Sequence, residues 1–142
     1  MSMRKQYEIV MVDDDADDVE FMQDAFREIG KDTVFGTFES GKELLNYLDG
    51  LNSSSAYPTV VLMDHNIPGE NGQDILSRFK HHPHQRAITF VVFSSSLSDK
   101  QIENLKEVGA INCLTKPESF EKYVAVADYL WHLTTNASTT GE

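Results

Sequence analysis

Four short clusters in this chain carry side chains able to do chemistry together. They are Asp13-Asp14-Asp15, Asp64 at the head of Asp64-His65-Asn66-Ile67-Pro68-Gly69, Ser94-Ser95-Ser96, and Lys116-Pro117. Carboxylates that converge on one pocket repel each other, and a hard divalent cation with oxygen ligands relieves that repulsion. Mg2+ typically takes one or two protein carboxylates, keeps several waters and leaves room for phosphate oxygens. A lysine adds a fixed positive charge, and a serine hydroxyl adds a hydrogen-bond donor. Phosphoryl transfer needs such a set, because its catalysis is mainly positioning plus neutralisation of charge on the equatorial oxygens. A carboxylate can itself be the nucleophile and become an acyl phosphate. Asp64 is the candidate, since it ends an apolar stretch and opens the loop that follows.

The clusters matter only if folding gathers them. Five short apolar runs read as strands, at 8–12, 34–38, 59–63, 88–93 and 110–115. The first, third and fourth are nearly continuous in Val, Ile, Leu, Met and Phe, the pattern of parallel strands covered on both faces. The fifth contains Asn112 and is the weakest of the set. Helical stripes fill the gaps: Val19, Met22, Ala25, Phe26 and Ile29; Leu44, Leu45, Leu48 and Leu51; Ile75, Leu76 and Phe79; Ile102, Leu105 and Val108; and a long one from Phe120 to Trp131. Ser40 with Glu43 and Ser98 with Gln101 have capping-box spacing, and Gly30 and Gly109 stand where helices end.

The pattern predicts an α/β fold, a doubly wound (βα)5 unit with a five-stranded parallel sheet and helices on both faces. Ligands of such sheets bind outside the C-terminal strand ends. All four clusters fall at those ends, so the topology makes distant residues neighbours. Residues 6–133 form the expected domain, and 134–142 the expected frayed polar tail, with a second polar loop at 52–55.

Composition narrows the function classes. The formal charge of −11 disfavours nucleic acid and anionic membrane surfaces as partners. No apolar run approaches the ~18 residues of a membrane span, and no apolar region follows the basic residues near the N-terminus as in a signal peptide. Cys113 is the only cysteine, so no disulfide can form within the chain. A cytoplasmic location is expected.

In order and in position, Val12-Asp13-Asp14, Asp64-His-Asn-Ile-Pro68-Gly69 with Gly72, Ser94-Ser95 and Lys116-Pro117 resemble the motifs of the receiver domain of two-component response regulators, which has the flavodoxin-like fold. The long last helix, without an output domain after it, resembles single-domain regulators paired with phytochrome-type kinases. The resemblance implies that Asp64 accepts the phosphoryl group. It implies that Asp14 coordinates Mg2+ directly, with Asp13 helping partly through water and the Asn66 backbone carbonyl supplying another oxygen. Ser94 would hydrogen-bond the phosphoryl group, Lys116 would pair with one of its oxygens, and Asn66 and Ser96 would flank the path of the hydrolytic water. The implied donor is a histidine kinase or histidine phosphotransfer protein, and the implied output is a downstream protein target. The chain would assist its own phosphorylation and dephosphorylation and would not otherwise be an enzyme. The 88–133 face is the candidate for output and for a homodimer. Two positions depart from the family: Ile67 replaces a common Met, and Cys113 stands where an aromatic side chain usually rotates inward.

Each cluster also has a plainer reading. Three aspartates can simply favour a helix N-terminus, Lys116 can be a loop lysine, and three serines can be a turn. His81-His82-Pro83-His84 reads better as a solvated loop than as a metal site. His65 is expected to point to solvent, and one of Tyr129 and Trp131 is a candidate for an exposed partner contact. Two other functions compete with signalling. A Mg2+-dependent phosphatase or phosphotransferase of the haloacid dehalogenase type also uses an aspartyl intermediate, but it places its nucleophile after the first strand and needs a cap for which 142 residues leave no room. A flavodoxin-like cofactor binder would need a phosphate loop where this chain has three aspartates.

Overall fold

The computed structural model describes residues 5–51, 53–80 and 87–140. The continuous apolar runs form the middle of a sheet. β1 (Ile9–Val12), β2 (Phe35–Phe38), β3 (Val60–Asp64), β6 (Thr89–Ser94) and β7 (Ala110–Thr115) pair in parallel in the order β2-β1-β3-β6-β7. Two further strands, β4 (Asn66–Ile67) and β5 (Glu70–Asn71), form a separate antiparallel hairpin in the loop after β3.

Side chains alternate across a strand, so a strand buried on both sides must be apolar at every position. Val10, Val12, Val61, Met63, Phe90 and Val92 point to one face, and Ile9, Met11, Val60, Leu62, Val91 and Phe93 to the other. The first face is covered by α2 (Gly41–Asp49), α3 (Gly72–Lys80) and α4 (Asp99–Glu107), through Leu44, Leu48, Ile75, Phe79 and Leu105. The second is covered by α1 (Ala16–Glu28) and α5 (Phe120–Thr140), through Met22, Phe26, Tyr123, Ala127 and Leu130. The expected stripes are therefore the buried or half-buried helix faces, except at Phe120, which opens α5 and is 44% exposed. Ser98 and Gln101 make a reciprocal capping box. Ser40 caps α2, while Glu43 reaches back to the N–H of Glu39 rather than that of Ser40. Gly30 and Gly109 adopt φ of 74° and 119° at the helix ends, where a Cβ would be strained.

Several local expectations change. β7 is a full edge strand despite Asn112, whose side-chain amide donates to the Tyr129 hydroxyl at 3.0 Å. Its register slips by one residue, pairing Phe90 with Ala110 and Val91 with Asn112. Ile111 is the extra residue of this bulge and is turned outward, 48% exposed. Tyr129 and Trp131 are both partly buried against the α1–α5 core, and Lys31 Nζ lies 4.4 Å from the Trp131 ring centre, so neither ring is an exposed contact. The segment expected to fray from residue 134 continues α5 to Thr140. Thr134 and Thr135 turn their hydroxyls to the carbonyls of Trp131 and His132, and no Gly or Pro interrupts the helix before Gly141. The polar loop contains a short 3-10 turn, Ser54–Ala56. The histidine cluster at 81–84 lies outside the described residues.

Candidate functional site

β1 and β3 are adjacent, and the chain leaves them in opposite directions, to β2 on one side and β6 on the other. The crevice of a doubly wound sheet opens at such a reversal. Asp13 follows β1 directly and Asp64 ends β3, so the two carboxylates meet there. Asp13 and Asp64 are almost fully buried, at 1% and 3% exposure, while Asp14 is exposed. One carboxylate oxygen from each of the three lies within 4.8 Å of the others. An open cavity of about 540 Å3 adjoins them, lined by residues including Asp14, Asp17, Asp64, Asn66, Ser95 and Lys116.

Local structure fixes each group. The backbone N–H of Asp15 donates to Asp13 Oδ1 at 2.9 Å. Asp15 itself caps α1, accepting from the N–H groups of Asp17 and Asp18. The plain reading of the acidic run therefore holds for Asp15, and its neighbours remain free for other work. The Asn66 N–H donates to Asp64 Oδ1 at 3.1 Å. After β7 the Lys116 N–H donates to the Ser94 carbonyl at 2.8 Å, which sets the lysine at the cavity.

Lys116 is the counter-charge. Its Nζ lies 2.7 Å from Asp18, 3.3 Å from Asp64 and 3.4 Å from Asp13. Burial works to lower its pKa, but the hydrogen bond to Asp18 and the charges of Asp13, Asp64 and Asp18 outweigh burial and hold it above the ordinary lysine value. Asp13 is pushed up from 3.8 to about 7. Burial is the main cause, the Asp15 N–H opposes it, Asp64 and Asp18 add to it, and Lys116 offsets part of it. One lysine does not satisfy this cluster: Asp13 Oδ2 is buried with no hydrogen-bond partner. Its ion pair, to Lys116 Nζ at 3.4 Å, is shared with Asp18 and Asp64. A buried carboxylate oxygen without a hydrogen bond among converging oxygens suits a hard dication, so the residues present fit Mg2+.

Replacing Lys116 with Met is expected to expose this imbalance. Removing one partner from a mostly buried charge network costs on the order of 3 kcal/mol, so the thermal midpoint should fall in EDTA. Mg2+ should then bind more tightly than to the native chain, because the competing ammonium is gone. Thermal melts and calorimetric Mg2+ titration of the variant check both directions, and an unchanged melt in EDTA would contradict the ion pairing described here.

Asp13, Asp14, Asp64, Asn66 and Lys116 thus come together as the sequence suggests. Ser94 is buried beside them, but its hydroxyl is engaged with the backbone of Ser96 at 3.3 Å, and Ser95 lines the cavity. Ser96 is exposed. Cys113 lies opposite Val92, half-buried against the core on the α2–α3–α4 side, and burial raises its thiol pKa, with Lys106 opposing. His65 is half-buried rather than freely solvated. Its Nδ1 is buried without a partner, 3.1 Å from where a Cβ on Gly72 would stand. Asp18 belongs to the site and was not singled out from sequence. No local spacing marks it, because Asp14 precedes the N-cap of α1 and the partner of Asp18 is Lys116, 98 residues away.

The family model described as the response regulator receiver domain matches residues 9–128. Among curated proteins, a probable methanogenesis regulatory protein, FilR2, of Methanothrix harundinacea is 30% identical over 116 residues, covering 80% of this chain and 74% of that protein. A probable cyclic di-GMP phosphodiesterase of Vibrio cholerae is 32% identical over 123 residues, covering 84% of this chain but only 26% of that protein. Among solved structures, a response regulator in red light signaling of R. palustris superposes with a TM-score of 0.75 at 24% identity, covering 87% of this chain and 90% of that one.

Proposed function

This chain belongs to the response regulator receiver domain family, and on that premise we propose that it takes a phosphoryl group onto Asp64 from a histidine kinase or histidine phosphotransfer protein and signals by binding a downstream protein. The observation that carries the reading is the buried cluster of three carboxylates sharing one lysine at the C-terminal edge of the sheet, with one buried oxygen that makes no hydrogen bond.

In this reading Asp13, Asp14, Asp64 and the Asn66 carbonyl hold Mg2+. When bound, that ion neutralises carboxylate and phosphoryl oxygens together. An Asp64 carboxylate oxygen attacks phosphorus, the O–P bond forms, and the N–P bond of the donor phosphohistidine breaks. The leaving imidazole nitrogen keeps the electron pair and takes a proton from solvent. Lys116 sits 3.3 Å from Asp64 Oδ1 and so faces the charge that arrives. Ser94 gives up its contacts with Ser96 to donate to a phosphoryl oxygen, and the loop 94–96 moves with it. Asn66 and Ser96 border the water that later hydrolyses the acyl phosphate. Added charge at this edge biases a two-state equilibrium. Residues 6–133 make up the signalling domain, and the 88–133 face carries the output or a homodimer. Cys113, beneath that face, provides less volume than an aromatic side chain for the accompanying rearrangement.

Among the described residues no helix is long and apolar enough to cross a membrane. The negative charge supports a protein partner over a nucleic acid, and the cytoplasm is the matching place for a kinase partner. The test is incubation with acetyl phosphate, with and without Mg2+, read by intact mass. One added phosphoryl group that requires Mg2+ and is lost in alkali is the expected result. Sustained turnover of small phosphate esters instead would favour a phosphatase.

A further inference from the structure

The hairpin after β3 is an independent structural device beside Asp64. β4 and β5 pair Asn66 with Asn71 and Ile67 with Glu70, and the turn between them needs Gly69 at φ 78°. Ile67 is buried in the core on the α2–α3–α4 side of the sheet. Asn71 caps α3 by accepting the N–H of Asp74 at 2.8 Å. The Gly72 N–H donates to the His65 carbonyl at 3.3 Å, closing the loop at its base. The hairpin thus runs from the acceptor position straight into α3.

Its outer strand is tied to a different element. Glu70 Oε1 accepts the N–H of Gly41, the first residue of α2, at 3.0 Å, and Glu70 Oε2 faces Arg78 at 3.5 Å. The Glu70 side chain is only 13% exposed, whereas that of Arg78 is 55% exposed. The N–H it holds belongs to a buried glycine packed closely on α3, where a Cβ would stand 2.9 Å from Ile75. A carboxylate at a helix N-terminus is favourable in itself. Here it is supplied from 29 residues away, across the fold.

We infer that Glu70 is a positioning residue for the acceptor loop: by clamping the hairpin to the N-terminus of α2 it fixes where Asn66 presents its carbonyl to the cation beside Asp64. The inference rests on the Mg2+ reading above. Glu70 touches neither cation nor phosphoryl group, and its effect passes through the Ile67–Glu70 pair to Asn66. Outer groups that orient metal ligands typically change metal affinity by about 10–100-fold when removed.

The experiment compares the native chain with Glu70→Ala, Glu70→Asp, Glu70→Gln and Arg78→Ala. Mg2+ is titrated calorimetrically well below each thermal midpoint, and amide exchange is read by mass spectrometry over 64–72. Glu70→Ala and the shorter Glu70→Asp are expected to weaken Mg2+ about tenfold and to speed exchange in that segment. Glu70→Gln keeps an acceptor oxygen for the Gly41 N–H and is expected to recover both. Arg78→Ala is expected to leave both near native. If Glu70→Asp folds and binds Mg2+ as the native chain does, the inference is overturned. A drop in thermal midpoint without selective change over 64–72 would likewise assign Glu70 to capping α2 alone. A native chain that binds no Mg2+ would overturn the functional reading, and this inference with it, before any variant is compared.

Discussion

Asp64→Asn is expected to lose Mg2+-dependent labelling by acetyl phosphate completely. The substitution is nearly isosteric, and the amide oxygen left at position 64 can still accept the Asn66 N–H that now reaches Asp64 Oδ1 at 3.1 Å. An amide is not a nucleophile toward phosphorus, so no acyl phosphate can form there. The fold should hold. The lost attraction to Lys116 at 3.3 Å is offset by relief of repulsion with Asp13, which the charge of Asp64 pushes toward its neutral form. Unchanged circular dichroism together with absent labelling is therefore the expected pair of results. Label that persists in the variant would reject Asp64 as the acceptor, and peptide mapping would then show whether Asp13 or Asp14 carries it.

Why Asp64 was visible in the sequence while some of its neighbours were not has a physical cause. β1, β3 and β6 are buried on both faces, which forces unbroken apolar runs, and each run stops where the chain emerges at the cavity. Asp13, Asp64 and Ser94 are legible because the apolar run ends at them, each a buried polar residue closing a buried strand. Lys116 follows β7, whose outward Ile111 and paired Asn112 blur the pattern, yet its position is the same.

Other features have no such periodic signal. A two-residue hairpin such as Asn66–Ile67 with Glu70–Asn71 leaves only the Pro68-Gly69 turn as a trace, and its clamp is a contact with Gly41 that no local spacing encodes. Asp18 looks like one more acidic residue of a first helical turn until Lys116 is brought within 2.7 Å from 98 residues away. His65 is adjacent to the acceptor in sequence, but the return of the chain through Gly72 lies against its Nδ1. Tyr129 and Trp131 extend the core stripe because Asn112, at the bulge in β7, and Lys31, just after α1, are brought to them as partners. Periodicity reads burial, while these positions are set by long-range pairing.

The second large effect expected concerns Asp13, where pH and metal should act in opposite directions. Its carboxyl is raised from 3.8 to about 7 in the metal-free fold, burial being the main cause. Between those values the folded chain binds a proton that the unfolded chain has released, so stability from this group falls as pH rises. The cost of ionising Asp13 is absent near pH 4, grows through pH 7 and is complete above it, on the order of a few kcal/mol. Asp13→Asn removes that cost, because an amide stays neutral and can still accept the Asp15 N–H. In EDTA the variant should melt at a higher temperature than the native chain above pH 7, with the difference vanishing near pH 4. In saturating Mg2+ the order should reverse, since bound ligand stabilises only the chain that holds it. Native affinity for Mg2+ should rise with pH through about 7 and then level, because the cation displaces the proton on Asp13. Melts with EDTA and with Mg2+ from pH 4.5 to 8.5 read all three trends. A variant less stable than the native chain in EDTA at high pH would mean that Lys116 already satisfies Asp13. The missing hydrogen bond at Asp13 Oδ2 would then no longer argue for a cation in this pocket.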